Sequence, residues 1–196
     1  AVGYEGITYI NAKGTITSQD WPGNVNALAQ VEDQLWMGTQ KNGLVTSTPH
    51  GTKTILDEEI NDILPNGNKV WLAGDEALWS IDPENFNSIA KEIDDTPTIY
   101  AIENWKNQIW VATGNGLQRI QQNTLLPFLQ STIPSDIKVS DWLVTNDGFI
   151  GCSEEELLTT NTMDIPIPNS YKAMRLLSGE QQHLALSKDT LAIISN

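Results

Sequence analysis

A strand-and-turn unit returns six times along this chain, and nothing else in the sequence constrains the fold as strongly. The clearest copies are Leu35-Trp36-Met37-Gly38-Thr39 before Gly43-Leu44, Val70-Trp71-Leu72-Ala73-Gly74 before Ala77-Leu78, and Ile109-Trp110-Val111-Ala112-Thr113 before Gly116-Leu117. Fainter copies are Phe149-Ile150-Gly151-Cys152-Ser153 before Glu156-Leu157 and His183-Leu184-Ala185-Leu186-Ser187 before Thr190-Leu191, and a truncated first copy is Ala1-Val2-Gly3-Tyr4 before Gly6-Ile7. The residue that ends each copy stands at 7, 44, 78, 117, 157 and 191, giving spacings of 37, 34, 39, 40 and 34. A unit of this size made of short strands cannot bury its own apolar faces, so it must stack on copies of itself.

Helical repeats share part of this spacing range, and residue chemistry arbitrates. Each unit holds β-branched and aromatic residues in short runs punctuated by Asn-Gly, Asp-Gly and Pro, with no pair of long helical stripes. The second unit predicts strands over 26–31, 34–39, 44–48 and 53–56. The third predicts 60–64, 69–73, 77–81 and 88–93, and the fourth 98–103, 108–112, 117–120 and 124–129. Tight turns fall at Glu32-Asp33, Asn66-Gly67-Asn68, Lys106-Asn107 and Asn146-Asp147-Gly148. Four-stranded antiparallel units repeated radially are blades of a β-propeller. The predicted fold is therefore all-β, a single β-propeller domain over 1–196 of about five or six blades, with units near 1–25, 26–59, 60–97, 98–136, 137–172 and 173–196.

The tryptophans take their meaning from the period. Trp36, Trp71 and Trp110 share one position on the second strand, which neighbouring blades cover on both faces. They read as core, and truncating one is expected to cost about 3–5 kcal/mol. Gly38, Ala73, Ala112 and Cys152 follow two positions on, where an adjacent blade would approach closely.

The end units do not match: the first lacks its innermost strand and most of its second, and the last lacks its outermost. Open edges pair elsewhere unless closed. Residues 15–18 can complete the last blade to give five, or six blades can stand with three-stranded ends. Alternatively, the chain is part of a longer propeller or closes through another chain as an oligomer.

The repeat resembles the two-component regulator propeller repeat. Residues 35–44 and 109–117 carry its pattern of aliphatic-Trp-aliphatic, Gly or Ala, Thr, an Asn/Gly turn and Gly-Leu, while the last two units depart from it. The resemblance implies a bacterial propeller, periplasmic or extracellular, that recognises glycans or proteins. Neither the membrane helix nor the kinase of larger sensors of that family is in this sequence, so no signalling role is carried over. The opening Ala1-Val2-Gly3-Tyr4-Glu5-Gly6 is also similar to the photosystem-assembly type of propeller repeat, although the later units lack its aromatic endings.

With 196 residues and 39% hydrophobic content the chain can bury a sizeable core despite a net charge of −14. No run approaches the ~20 apolar residues of a membrane helix, so a soluble chain is expected. The start at Ala1 suits a mature or excised chain.

In a propeller the interblade loops and the loops joining second to third strands open on one face. Sorted that way, this face gathers Asp20, Asp57, Glu58, Glu59, Asp75, Glu76, Asp94, Asp95, Asp136, Glu154, Glu155, Glu156 and Asp189, against Lys41, Lys172 and Lys188. Such a field attracts a cationic partner, or the loops are acidic simply for solubility. Trp21, in Gln19-Asp20-Trp21-Pro22-Gly23, and Tyr171, in Pro168-Asn169-Ser170-Tyr171, are candidate sugar platforms, with Trp21 alternatively a plug over a blade edge. Trp105 and Trp142 read as core or closure residues. The candidate ligand-binding set is Trp21, Asp57, Glu58, Asp94, Asp95, Asp136 and Tyr171.

Catalytic signals are absent: His50 and His183 are not poised as bases, and there is no phosphate loop or nucleophile elbow. No Asp-x-Asp-x-Asp-Gly spacing occurs, so neither a high-affinity metal nor a cofactor is expected. Nucleic acid is disfavoured by 25 acids against 11 bases. The leading expectation is a non-catalytic binding module for a protein or glycan. A carbohydrate-active hydrolase or lyase using two of the carboxylates and a structural assembly subunit are the alternatives.

Overall fold

The structure, a computed structural model, describes residues 24–48 and 51–127 throughout, with Lys13, Thr15 and nine further strands. Among the described residues all regular elements are β-strands, and no helix is long and apolar enough to cross a membrane. The first sheet holds β1 (Val2–Gly3), β2 (Gly6–Ile10) and β3 (Ile16–Asp20). The second holds β4 (Val25–Val31), β5 (Gln34–Thr39), β6 (Leu44–Thr48) and β7 (Gly51–Leu56). The third holds β8 (Ile60–Asn66), β9 (Lys69–Gly74), β10 (Ala77–Asp82) and β11 (Asn85–Asp94).

The fourth comprises β12 (Ile99–Trp105), β13 (Gln108–Thr113), β14 (Gly116–Gln121) and β15 (Thr124–Pro127). The fifth comprises β16 (Asp141–Val144), β17 (Phe149–Cys152) and β18 (Leu157–Thr159). The sixth comprises β19 (Arg175–Ser178), β20 (Gln182–Leu186) and β21 (Leu191–Ser195). Every sheet is an antiparallel meander in chain order.

Two of the predicted strands, Gln34–Thr39 and Leu44–Thr48, coincide with β5 and β6. Residues 16–18 lie in β3, which pairs with β2 through Ile7↔Gln19 and Tyr9↔Thr17. The segment therefore ends the first sheet rather than extending the last. The turn at 146–148 lies outside the described residues.

The chain divides into two compact units, Ala1–Thr96 and Pro97–Asn196. In the first, β4 lies beside β8; in the second, β16 lies between β12 and β19. The core of the first unit fills the space between the second and third sheets. Ala27, Ala29, Val31, Trp36 and Leu44 meet Ile60, Ile63, Val70, Leu72 and Ile81 there, with Ile55, Leu56, Trp79, Phe86 and Ile89 packed around them. Trp36 is 1% exposed and its ring meets Phe86 at 5.6 Å. Its indole N–H has no hydrogen-bond partner among the described residues, so its contribution is apolar packing. Trp110 is buried too, but Trp71 is only half-buried and Lys69 lies over its ring at 5.5 Å.

The small residue two places after Trp36 has a definite cause. A Cβ added to Gly38 would stand 2.8 Å from both the Cγ2 and the carbonyl oxygen of Ile60, so β8 can approach β5 only over a glycine. The motif threonine caps the next turn. Thr39 Oγ1 donates to the Gly43 carbonyl (2.8 Å) and accepts from the Asn42 N–H (2.9 Å). Thr113 repeats this with Gly116 (3.0 Å) and Asn115 (3.0 Å). Gly43 holds φ 68°, and a Cβ added there would collide with the Leu56 carbonyl, which explains a glycine there. Lys106 and Asn107 are both left-handed, as a two-residue hairpin turn requires.

Candidate functional site

Antiparallel meanders send alternate connections to opposite ends of a sheet, and in the first unit two classes of connection meet at one end. These are the segment 57–59 between β7 and β8, the turn 75–76 between β9 and β10, and the residues after β11. The Thr96 N–H donates to the Glu76 carbonyl at 2.9 Å. A Cβ on Gly74 would lie 3.3 Å from the Glu59 carbonyl, so the first two segments touch. Their carboxylates crowd: burial, and then the negative charge of Asp75, push the Glu59 carboxyl above its usual range.

Asp57, Glu58, Asp75, Glu76, Asp94 and Asp95 around it are all exposed. Asp94 closes β11 opposite Ala77, and Asp95 follows in the left-handed region at φ 53°. The Lys91 ammonium donates to Asp94 at 3.1 Å and holds that carboxyl below its usual range. The same ammonium lies 4.6 Å from the centre of the half-buried Trp79 ring.

Other lysines are engaged away from this end. Lys69 donates to Glu92 at 2.9 Å, and Ser80 Oγ donates to the same carboxylate oxygen at 2.5 Å. The Ser80 bond and then Lys69 lower the Glu92 pKa. Lys53 lies over Phe86 at 5.4 Å and Lys106 over Trp105 at 4.6 Å. Trp105 in turn meets Trp110 at 5.5 Å, and Trp142 is buried. The end bearing Glu59 is thus a concentration of acceptors, with Lys41 and Lys91 as the cations at this end of the first unit among the described residues.

Of the residues singled out from sequence, Asp57, Glu58, Asp94 and Asp95 are brought to this one end of the first unit. Trp21, Asp136 and Tyr171 lie outside the described residues, as do Asp189, Glu154, Glu155 and Glu156. Glu59, Asp75 and Trp79 join the set, the first two as members of its field and Trp79 as an aromatic surface beside it. The acids were visible in sequence as loop residues, whereas Trp79 was hidden by its resemblance to strand core. His183 lies in β20 and Cys152 in β17, while His50 is outside the described residues. No group of three or more His, Cys, Asp or Glu side chains arranged to hold a metal occurs among the described residues. The chemistry available here is hydrogen-bond acceptance and attraction of positive charge.

No protein-family model matches the sequence, and no curated protein matches it. Solved structures do match in fold. The extracellular domain of BT4673 from B. thetaiotaomicron, described as a hybrid two component system, aligns with 100% of this chain at a TM-score of 0.70 and 18% identity. The corresponding domain of BT3049 from the same organism aligns with 98% at 0.65 and 14%. The chain spans about a third of each, 32% and 30%. The WD40 β-propeller domain of Doa1 aligns with 97% of this chain and 75% of its own length, at a TM-score of 0.62 and 10% identity. The chain has a propeller-like fold.

Proposed function

We propose that this chain is a non-catalytic recognition propeller of the two-component regulator type, its six sheets serving as six blades. It works outside the cytoplasm and binds a protein or glycan partner through the acidic end built by Asp57, Glu58, Glu59, Asp75, Glu76, Asp94 and Asp95. One observation carries this reading: the segments 57–59, 75–76 and 94–95 bring their carboxylates to one end of the first unit, where 57–59 touches the turn at 75–76 and burial, then the Asp75 charge, raise the Glu59 pKa. Surface acids spread only for solubility have no reason to be held within range of one another. The fold likeness to extracellular domains of two component systems supports the location and the recognition role. The whole assembly to which such a domain belongs would supply any output.

The reading is tested with a decalysine peptide as a cationic probe. Asp57→Asn combined with Asp94→Asn weakens its binding and flattens the salt dependence, because two of the carboxylates that set the field are gone. Unchanged affinity and unchanged salt slope would remove the acidic end from the function. Turnover of an oligosaccharide at this end, measured as product formed, would replace the binding module with an enzyme.

A further inference from the structure

The motif tryptophan of each four-stranded sheet faces one residue across the ladder, two places after the leucine that ends the motif. Trp36 faces Thr46, Trp71 faces Ser80 and Trp110 faces Arg119. The first two are small hydroxyls, 1% and 3% exposed, and both are satisfied. Thr46 Oγ1 donates to Gln34 Oε1 at 3.0 Å, and Ser80 Oγ donates to Glu92 Oε1. Arg119 breaks this series. It is only half-buried, and among the described residues it makes neither a hydrogen bond nor an ion pair, whereas Lys69 and Lys91 are paired with Glu92 and Asp94. A place where the fold needs only a small hydroxyl has received a permanent charge and five N–H donors with no acceptor.

The charge around Arg119 is also unlike that of the rest of the chain. Residues 97–127 hold one carboxylate, Glu103, against two cations, Lys106 and Arg119, in a chain of net charge −14. Glu103 faces Trp110 from β12, two strands from Arg119 and roughly 10 Å away by strand spacing. Gln108 stands two residues before Trp110 and Gln121 two after Arg119, so strand alternation puts all four on one face of the fourth sheet. Gln108 and Gln121 are exposed, lie nearest the turns at 106–107 and 122–123, and have side chains without a hydrogen bond among the described residues. The aromatic rings of this face are engaged with their neighbours: Trp105 meets Trp110 at 5.5 Å, and Lys106 covers Trp105 at 4.6 Å. The groups left available are a planar cation and two carboxamides.

A carboxylate matches a guanidinium in plane and spacing and accepts two parallel N–H bonds from it. A carboxamide offers an oxygen to one hydroxyl and an N–H to another. Side chains two residues apart on a strand stand about 7 Å apart, so one hydroxylated acid can meet Arg119 and a carboxamide together. We infer that Arg119, with Gln108 and Gln121 beside it, forms a subsite on the fourth sheet for a carboxylated sugar, the uronic acid of an acidic oligosaccharide. An acidic protein segment offers the same carboxylate, but protein interfaces anchor on apolar and aromatic groups, and those of this face are already engaged. The subsite lies in the second unit and does not depend on the acidic end of the first.

The test is calorimetric titration of the protein with tetragalacturonate and tetramannuronate, and with the methyl esters of both, which keep the sugar and remove its charge. At least one acid should bind, at least about tenfold more tightly than its ester, and the preference should shrink as salt rises. Arg119→Gln removes the charge and should erase the preference, weakening the acid about tenfold. Arg119→Lys should recover only part of it, because an ammonium cannot make the paired bond. Gln108→Ala and Gln121→Ala should weaken acid and ester equally, by about three- to tenfold. Arg119→Thr supplies the residue that the second sheet has at this place, and thermal melting of every variant checks that the fold persists.

If neither acid binds better than its ester, the inference fails. If an acid is preferred but folded Arg119→Gln and Arg119→Thr variants keep the preference, Arg119 is not the subsite and the inference fails equally. If hexaglutamate binds more tightly than either acid and is lost in Arg119→Gln, the occupant is an acidic protein segment and the sugar assignment is overturned.

Discussion

The second and third sheets are adjacent copies of one repeat, and they solve the same problems with different residues. In the second, Gly38 lets β8 come within touching distance, Thr39 caps the turn after β5, and Trp36 is sealed against Phe86. In the third, Ala73 and Gly74 stand at those places, Asp75-Glu76 make a shorter turn, and Trp71 is half-covered by Lys69. The threonine cap that closes turns in the second and fourth sheets is therefore missing where the acids are densest. The repeat motif is an instruction for turns and close packing, and among the three four-stranded sheets the copy without its threonine is the copy whose turn carries part of the candidate site.

The comparison can be broken by substitution. Trp36→Ala should cost about 3–5 kcal/mol in urea denaturation, and Trp71→Ala only about 1–2 kcal/mol, since part of its surface is already in water. Equal losses would mean that the two tryptophans have the same role. Next in size, Gly38→Ala should cost about 1–3 kcal/mol, because its Cβ collides with backbone and side chain of Ile60. The reciprocal Ala73→Gly should lose no more than about 1 kcal/mol, from chain entropy and a lost methyl.

Smaller still, Thr39→Val forfeits two turn bonds, about 1–2 kcal/mol. Gly74→Thr should not recover the cap, because its Cβ would sit 2.9 Å from the Ala77 carbonyl. The smallest effects are in pH dependence. Glu92 has a lowered pKa, so its contribution is present above the usual carboxylate value and is lost as the pH falls through the lowered one. Glu59 has a raised pKa, so its contribution is full below the usual value and is lost as the pH rises through the raised one. In urea titrations across the acid range, Glu92→Gln should remove the first slope. Glu59→Gln should remove the second and raise stability at neutral pH.

Much of this was legible because strand, turn and period are local. The ends of β5 and β6 follow from Leu35 to Thr39 and Leu44 to Thr48, and the close approach at Gly38 followed from the small residue that Gly38, Ala73, Ala112 and Cys152 place there in four of the copies. The first sheet was harder, since Val2–Gly3 is too short to announce a strand and only its pairing with Ile7 and Gly6 reveals it. The β-bulge at Asn26, where Val25 faces Thr39 and Ala27 faces Gly38, was invisible: Val25-Asn26-Ala27-Leu28 alternates like any half-buried strand, and a shift in register exists only between two strands. Trp71 read as sealed core, and the Lys69 ammonium over it is a tertiary fact. For the site, the acids at 57–59, 75–76 and 94–95 could be sorted to one end of the first unit from the repeat alone, but the burial of Glu59 and its crowding by Asp75 depend on how the segment before β8 leans on the turn after β9.

The gradation of side-chain size across the second and third sheets has a mechanical consequence. Toward the inner strands the second sheet offers mostly small residues, Ala27, Ala29 and Gly38, to Ile60 and Ile63 of the third, and toward the outer strands the contact is filled by Ile55, Trp79, Phe86 and Ile89. Two sheets separated by little at one edge and by aromatic rings at the other are a tapered pair, like neighbouring stones in an arch. The taper is set by volume, so enlarging an inner residue and trimming an outer one would flatten the pair without changing a single strand.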